Sequence, residues 1–542
     1  MKNIVKYLLL ACSASVLLSS CLQEEFPMNG TVTDEQISGS EQGAAAAANG
    51  MLGWTNESMS VTGEHTDFGM PSICLLLDAI APDVAVEDYG YDPTCLNLRV
   101  GYQLEETGYF PIYAWYYFYK MINLSNSVLS ALGSPADGSD IESLSPAIAA
   151  SVGQALTYRA MSYYYLSSIF EYRGTLTGEN YLGLTVPYVG PETTELESRD
   201  NPRVPFDEMF NEHILKDLNN AVLYMEKYAR PSKAYVDAAV AYGILARANL
   251  WVGNYAEAAE AARKAIDLSG SSVLTEAEWT NPQSGFNTLS TSAWIWGVDI
   301  TADDDCVKTG ICNWVSMLAP EAVFGYAGQS NGSSAKLCDA RLYASIPDTD
   351  WRKQTWVDAD REKYAYKHNH DEEWLAEVPD LTGLKFRPGS GNTGNSAVGA
   401  VADFPLMRVE EMYLIEAEAK AHANLAEGKA LLEAFAQTRD AEFASKASDI
   451  EAFQKEVFKQ AQIEFWGEGI IYFYYKRLNM PTMRGYEGTN HFNQCRYNFP
   501  DGNCPAFSPQ IPLDELNTNL ALETQQNPSV VTMYPDLWVE AQ

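Results

Sequence analysis

The sequence is poor in basic residues, in long apolar segments and in closely spaced cysteine pairs. Only 36 of its 542 residues are Lys or Arg, against 72 Asp and Glu, which gives a formal net charge of -36. This charge repels phosphate backbones and anionic lipid, which argues against nucleic-acid binding and against electrostatic attachment to membranes. No segment reaches the roughly 18 consecutive apolar residues that predict a transmembrane helix. The absence of Cys-x-x-Cys spacing argues against a zinc site built from cysteines.

Apolar and aromatic residues, by contrast, are plentiful. Hydrophobic residues make up 46% of the chain, and 32 Tyr, 20 Phe and 12 Trp give an aromatic content of 12%. This composition can bury a large core, which excludes a disordered or collagen-like protein. At this length we expect two or more lobes or one extended helical array.

The first 20 residues have the three parts of a secretory leader. Lys2 and Lys6 precede a mostly apolar run at 7–18, and Leu18-Ser19-Ser20-Cys21 follows. The run is too short to span a bilayer but fits a signal peptide. Small residues before a cysteine resemble a bacterial lipobox. We therefore expect a signal peptide at 1–20 and a lipid on Cys21; the alternative is an ordinary signal peptide with an incidental cysteine.

The segment after Cys21 is acidic and then polar as far as residue 43, which predicts a lipidated N-terminus and flexible tether over 21–43. Beyond Cys21 the expected mature chain keeps an odd number of cysteines, so at least one thiol is unpaired. Cys306 with Cys312, and Cys495 with Cys504, are close enough in sequence to form disulfides in loops.

Residues 44–270 have the apolar spacing of helices. Leu156, Ala160, Tyr163 and Phe170 recur at intervals of three, four and seven residues, and helices are also predicted at about 113–132 and 206–228. The segment 242–270 is typical of a tetratricopeptide helix–turn–helix, with Gly253 between a bulky first helix and an alanine-rich second one. One such repeat cannot bury its own apolar face, so neighbouring helices must stack on it.

The character of the chain changes over 271–400. This interval is rich in Gly, Asn, Ser, Asp and Trp, and only 293–300 alternates like a strand, with Trp294 and Trp296 expected to be packed. A helical pattern returns within 401–542, at 407–439 and from 448 to about 477. The sequence thus predicts a mainly α, tetratricopeptide-like helical scaffold with a loop-rich insertion that carries a little β structure.

Short matches to catalytic and metal-binding patterns lack the context that would make them sites. Residues 328–332 fit G-x-S-x-G and residues 389–394 fit G-x-G-x-x-G, yet neither follows a strand that leads into a helix. His368 and His370 have no third ligand on a helix, and the acidic run 303–305 lacks the spacing of a calcium loop. We expect no catalytic residues, no metal and no cofactor.

Four further segments carry patterns in a fixed order. Residues 158–166 contain R-A-x-x-Y-x-x-L, 408–419 contain R-x-x-E-x-Y-L-x-x-A-E-A, 464–469 contain E-x-x-G-E-G, and 511–528 contain I-P-x-x-E-x-x-x-N and Q-N-P. In this order the segments resemble the SusD/RagB family of outer-membrane nutrient-binding lipoproteins. Ile470, Ile471 and Gln462 depart from that pattern where Arg is common. We expect Arg159, Glu411 and Glu468 in these segments to tie helices together through charge-assisted hydrogen bonds.

The resemblance implies a lipoprotein of the outer membrane, facing outward, that captures oligosaccharide or polysaccharide and delivers it to a SusC-like TonB-dependent transporter without altering it. It also implies that ligand-binding aromatic shelves come from the loops after the first helix and from the insertion. Carried over by region, the candidate ligand-binding residues are Asp83, Asp88, Tyr89, Tyr91, Asp92, Trp314, Tyr326, Asn331 and Trp351.

Two other functions stay open at this point. A helical repeat scaffold commonly binds peptides, so a peptide-binding SusD-like lipoprotein is one alternative. A secreted glycoside hydrolase is another, although a pair of carboxylates can be found anywhere in a chain with 72 of them.

Overall fold

The computed structural model describes residues 40–86, 101–172, 183–283, 285–328, 334–364 and 372–534. Within these ranges most of the chain is helical, and eleven α-helices have seven or more residues. They are α1 (Glu41–Trp54), α2 (Met70–Ile80), α3 (Tyr109–Leu132), α4 (Pro146–Phe170), α5 (Leu215–Tyr224), α6 (Ala238–Val252), α7 (Tyr255–Ser269), α8 (Val409–Ala423), α9 (Leu425–Ala436), α10 (Ile450–Glu464) and α11 (Ile471–Arg477).

The described strands are short and form four separate antiparallel pairs, β1 with β5, β2 with β3, β4 with β6 and β7 with β8. Their bounds are β1 (Val84–Ala85), β2 (Leu184–Pro187), β3 (Arg203–Pro205), β4 (Trp294–Val298), β5 (Leu337–Cys338), β6 (Phe404–Arg408), β7 (Thr482–Met483) and β8 (Asn498–Phe499). Helices therefore build the scaffold, and the strands only fasten particular loops to one another.

Helices that follow one another in the chain pack side by side. The packing runs from α3 to α4, α5, α6, α7, α8 and α9, while α1 covers α3 and α4. Each helix buries its apolar side against the next, as expected of a repeat array in which no pair is stable alone. The predicted mainly α, repeat-like fold is confirmed.

The pair α6 and α7 forms the predicted tetratricopeptide unit. Gly253 ends α6 in the left-handed conformation, with φ of 83°, which a residue with a side chain adopts only at a cost. Five of the six alanines of α7 are buried, with Ala258, Ala262 and Ala265 at 0% exposure, so the two helices approach closely. Helix α5 begins with a wider turn at Met209–Ile214 and continues the pattern predicted for 206–228.

Helices α7 and α8 are in direct contact although the insertion separates them in sequence. The insertion is therefore looped out of the array. Its two ends are joined by β4 and β6, where Trp294 pairs with Arg408 and Val298 pairs with Phe404. Trp294 and Trp296 are 0% and 1% exposed, so the expectation that they are packed is confirmed.

The helix expected from 448 to 477 is interrupted. Helix α10 ends at Glu464, and α11 starts at Ile471. Between them Gly467 and Gly469 have φ of 83° and 76°. A Cβ on Gly469 would lie 2.5 Å from the Cα of Cys74 in α2, so this turn has no room for a side chain. The G-E-G segment is thus a tight corner that lets α11 pack on α2.

A cluster of eight fully buried charges fastens the insertion to the C-terminal helices. We call it the buried charge cluster; its members are Asp350, Arg352, Lys385, Arg408, Glu410, Arg439, Glu464 and Glu468. Four cations face four carboxylates, so the cluster is electrically balanced.

Glu464 is the centre of the buried charge cluster. Its carboxylate accepts hydrogen bonds from Arg352 at 2.9 Å, from Arg408 at 3.0 Å and from Arg439 at 3.1 and 3.2 Å. Burial alone would raise its pKa, but the three guanidinium groups hold the pKa well below the usual range. Lys385 donates to Glu468 and to the carbonyl oxygens of Glu464 and Trp466.

We predict that Arg408→Met lowers the free energy of unfolding by about 3–5 kcal/mol, because it leaves buried carboxylates without their partner. Chemical denaturation measures the change. The matched control is Arg199→Met, which breaks an exposed pair with Glu195 and is expected to cost less than about 1 kcal/mol. Equal stability losses in the two variants would contradict a structural role for the cluster.

Candidate functional site

The pairing of β1 with β5 brings the two predicted binding regions together. Val84 pairs with Cys338, and Ala85 pairs with Leu337. The chain that leads into 87–100 therefore lies beside the chain that leaves 329–333. Asp88, Tyr89, Tyr91, Asp92 and Asn331 belong to those two segments and lie outside the described residues, as do Ser330, His368 and His370.

Asp83 precedes β1 and is part of the core. It is 5% exposed, and its Oδ1 accepts hydrogen bonds from the Tyr475 hydroxyl and from Gln462 Nε2, both at 2.9 Å. Its carbonyl oxygen accepts from Trp466 Nε1 at 3.0 Å. The expectation that Asp83 lies on an accessible binding surface is corrected: it holds the base of β1 in place.

Trp314 is likewise buried. It is 0% exposed, its Nε1 donates to the carbonyl oxygen of Ala402 at 2.8 Å, and Phe386 and Phe404 pack against its ring. No face of the indole is open to a ligand. The expectation that Trp314 forms an exposed shelf is therefore corrected, because the insertion needs this ring to fill its own core.

Tyr326 is half-buried and makes a hydrogen bond with an exposed histidine. The Tyr326 hydroxyl lies 2.5 Å from His65 Nδ1, and the two ring centroids are 6.0 Å apart. This contact joins the loop before α2 to the insertion. In the chain, Tyr326 stands five residues before Asn331, another candidate ligand-binding residue.

The loop that carries His65 is held by a buried carboxylate. Asp67 Oδ2 accepts hydrogen bonds from the amides of Val61 at 2.8 Å, Thr62 at 2.7 Å and Gly63 at 3.2 Å. Bonds to a charged acceptor are among the stronger hydrogen bonds in proteins. His65 is therefore presented to Tyr326 by a fixed loop.

Apolar side chains lie close to Tyr326 in the chain. Val323 is 53% exposed, and its amide donates to the carbonyl oxygen of Thr393 at 3.0 Å. Phe324 packs on Gly399, and Val398 beside it is 39% exposed. Tyr326 thus has apolar side chains nearby, and the glycine-rich segment 389–394 supports them.

Trp351 is half-buried in a different environment. Its Nε1 donates to the carbonyl oxygen of Thr438 at 2.9 Å, the Arg439 guanidinium carbon lies 5.2 Å from its ring centroid, and Trp279 meets it edge-on. These contacts place Trp351 at the junction between the insertion and the end of α9. The structure therefore brings Tyr326 together with His65, and gives Trp351 contacts elsewhere.

His65, Val323 and Phe324 were not foreseen from sequence. No sequence spacing marks these residues as a site, because His65 is a single histidine in a polar loop and Val323 and Phe324 are an apolar pair within a loop-rich insertion. Asp67 two residues after His65 is the one local sign, since Asp commonly accepts from nearby backbone amides.

Five of the described cysteines are free thiols. Cys74, Cys306, Cys312, Cys338 and Cys504 are buried and form no disulfide. The possible disulfides Cys306–Cys312 and Cys495–Cys504 are therefore wrong; Cys495 packs with Ala79 and Val86, whereas Cys504 packs in the main core.

Two properties of the described residues bear on the kind of site. No group of three or more His, Cys, Asp or Glu side chains in these ranges is arranged to hold a metal ion. Within the same ranges every helix is too short or too polar to cross a bilayer.

The resemblance seen in the sequence now has independent support. Residues 80–250 match the family model described as "Starch-binding associating with outer membrane", and residues 335–529 match the model of the SusD family. The two matches together cover about two thirds of the chain. No curated protein matches it.

Solved structures share the same architecture. A SusD-like carbohydrate binding protein from Bacteroides vulgatus has a TM-score of 0.70 at 21% identity, over 91% of this chain and 99% of that one. A SusD superfamily protein from Bacteroides thetaiotaomicron has a TM-score of 0.66 at 18% identity, over 90% and 100%. A laminarin-binding SusD-like protein has a TM-score of 0.59 at 18% identity, over 90% and 98%.

These likenesses define a helical repeat protein with a looped-out insertion. The chain belongs to the SusD/RagB family.

Asp83, at the base of β1, gives the stability of the protein a testable dependence on pH. Burial raises the pKa of this carboxyl from 3.8 to about 7. Between these values the folded state keeps a proton that the unfolded chain has released, so this group makes the protein less stable as the pH rises. Asp83→Asn cannot ionise and keeps an oxygen for Gln462 and Tyr475, so we predict that its stability relative to wild type increases by about 2–4 kcal/mol between about pH 4 and pH 8.

Denaturant unfolding of both proteins across this range measures the difference. The control is Asp348→Asn, because the hydrogen bond from Lys353 lowers the pKa of that exposed carboxyl and its charge stays constant over the range. A stability difference between Asp83→Asn and wild type that does not change with pH would disprove the raised pKa of Asp83.

Proposed function

We propose that the protein is an outer-membrane lipoprotein that binds an oligosaccharide at the cell surface and passes it to a SusC-like TonB-dependent transporter. The match of residues 80–250 to a family model described as "Starch-binding associating with outer membrane" supports this function. The observation that carries it is the pairing of β1 with β5, which sets the chain that enters the first candidate binding loop beside the chain that leaves the second. The contact between Tyr326 and His65 joins the insertion to the loop before α2.

The chemistry of these groups suits a neutral sugar. A pyranose ring has flat C–H faces surrounded by hydroxyl groups, so an aromatic side chain can stack on it while polar groups accept or donate hydrogen bonds. Tyr326 and Phe324 supply rings, and His65 supplies a polar edge. Asp88, Tyr89, Tyr91, Asp92 and Asn331 remain proposed contacts from the two adjoining segments. A neutral ligand also tolerates the acidic surface.

Binding without catalysis is the proposed mode of action. Carboxylates of the motifs that mark the family are already paired with arginines: Glu411 with Arg247, Glu418 with Arg477, and Glu464 with three guanidinium groups. A carboxylate held in this way is a poor general acid, because the guanidinium stabilises its charged form. These residues therefore support the frame on which the binding loops sit.

We predict that Tyr326→Ala and His65→Ala each weaken glycan binding by about tenfold, because the first removes a ring and the second its hydrogen-bond partner. Affinity gel electrophoresis against a panel of neutral polysaccharides finds the ligand, and calorimetry gives the affinity. The control is Tyr242→Ala, a half-buried tyrosine of α6 that lies under Lys264 on the helical array.

The same assay separates the alternatives. Release of reducing ends would indicate a hydrolase, and competition by peptides but not by sugars would indicate a peptide-binding protein. Retardation that is unchanged in Tyr326→Ala and His65→Ala would place the binding site elsewhere.

The proposed anchor is a lipid on Cys21. We predict that Cys21→Ala moves the protein out of the membrane fraction, because the thiol that would carry the lipid is lost. Cys12→Ala, which changes a cysteine of the leader itself, is the control and should leave the protein in that fraction. Cell fractionation with detection of incorporated fatty acid gives the result, and membrane retention of Cys21→Ala would refute the anchor.

A further inference from the structure

Two strongly exposed leucines stand on hydrogen-bonded segments of the chain, and neither is a residue of the candidate site. Among the described large apolar residues, Leu196 at 79% and Leu520 at 67% are the most exposed. They are far apart in sequence, yet the amide of Leu520 donates to the carbonyl oxygen of Arg199 at 2.9 Å, one helical turn after Leu196. We call the surface they share the Leu196/Leu520 face.

The Leu196/Leu520 face is held firmly by hydrogen bonds. Asn519 is 1% exposed; its Oδ1 accepts from the amide of Asn201 at 2.9 Å, and its Nδ2 donates to the Asn201 carbonyl oxygen at 2.8 Å. Leu196 itself stands in the short helix Glu195–Ser198, which a reciprocal capping box between Thr194 and Glu197 starts. The exposure of the leucines is therefore a fixed feature of the fold.

A groove of about 910 Å³ opens beside Leu196, with Tyr188 and Pro191 in its wall. The Tyr188 ring already stacks on two other rings, with centroid distances of 5.2 Å to Tyr163 and 3.7 Å to His213. A ring engaged in two stacks is poorly placed to stack on a sugar, which favours a protein side chain over a glycan as the occupant of the groove.

The rim of the groove is acidic. Glu192, Glu197 and Asp200 line it. Across residues 188–201 and 513–524 the sequence has seven carboxylates and one cation, Arg199, which is itself paired with Glu195 at 2.5 Å. An acidic rim around exposed leucines repels an anionic membrane surface and attracts a positively charged partner.

We propose that the Leu196/Leu520 face is a docking site for a protein segment that presents an apolar side chain flanked by Lys or Arg. The apolar side chain would enter the groove and cover the two leucines, which favours binding by removing apolar surface from water. The flanking cations would face Glu192, Glu197 and Asp200, which sets the orientation of the segment. This site is separate from Tyr326 and does not depend on glycan binding.

The test uses a fluorescent hexapeptide, Lys-Arg-Leu-Leu-Lys-Arg, and measures anisotropy with the full-length mature protein. We expect saturable binding that Leu196→Asp/Leu520→Asp weakens by about tenfold or more. The matched control, Leu223→Asp/Leu268→Asp, changes two leucines of the helical array that are 54% and 57% exposed and should bind like wild type. A peptide with Glu in place of every Lys and Arg should not bind.

Each double variant adds two aspartates to the protein, which distinguishes binding at the Leu196/Leu520 face from attraction by net charge alone. If the peptide were attracted only by the net negative charge of the protein, both double variants would bind it more tightly than wild type, and the proposal would be overturned. Equal loss in both variants would overturn it as well. The second variant, Glu192→Gln/Asp200→Asn, keeps the leucines and removes two charges of the rim. Weaker peptide binding with a smaller salt dependence would support the role of the acidic rim, and unchanged binding would refute it.

Discussion

The rest of the structure depends on the buried charge cluster around Glu464. Moving a charged group from water into a protein interior costs several kcal/mol, and only close pairing offsets that cost. Here three arginines surround one carboxylate, and Lys385 completes the set by binding Glu468 and two carbonyl oxygens. Separating the insertion from the C-terminal helices would leave these charges unpaired in the interior, so the two parts form one unit.

This cluster also determines where the candidate site lies. Arg352 and Lys385 come from the insertion, and Glu464 ends α10. Two residues later, Trp466 donates from its indole to the carbonyl oxygen of Asp83, directly before β1. The corner that neutralises the charges therefore also fixes the strand that leads to the binding loops. A fixed base of this kind lowers the entropy lost when a ligand binds, because less of the site has to be ordered.

Sequence reasoning identified the scaffold well because local rules govern it. The helix end at Gly253 and the close packing of α7 through its small residues can both be recognised within a segment of some thirty residues. It also predicted that Arg159 and Glu411 would join helices, but not to which partners. Arg159 binds Asp217, and Glu411 binds Arg247 across 164 positions of sequence. Such a partner is chosen by how the helices stack, which no local pattern encodes.

The candidate site was harder to predict for the same physical reason. The local sequence around a tryptophan in a loop-rich insertion does not show whether its ring is buried or exposed. The ring of Trp314 fills a core, whereas that of Trp351 lies partly open. Only the packing around each ring distinguishes the two. Asp83 was assigned to the correct region but to the wrong role, since the chain turns its carboxylate inward towards Gln462 and Tyr475.

The charged residues of the family motifs form ion pairs inside the helical scaffold, and this limits which residues can determine ligand specificity. Arg408, Glu411, Glu464 and Glu468 are buried in ion pairs, so none of them can contact a ligand at the surface. Under the proposed function, ligand selectivity would then come from side chains on the candidate binding loops that adjoin β1 and β5. A frame held by internal ion pairs is compatible with loops of different sequence, because a change in the loops leaves the buried charges paired.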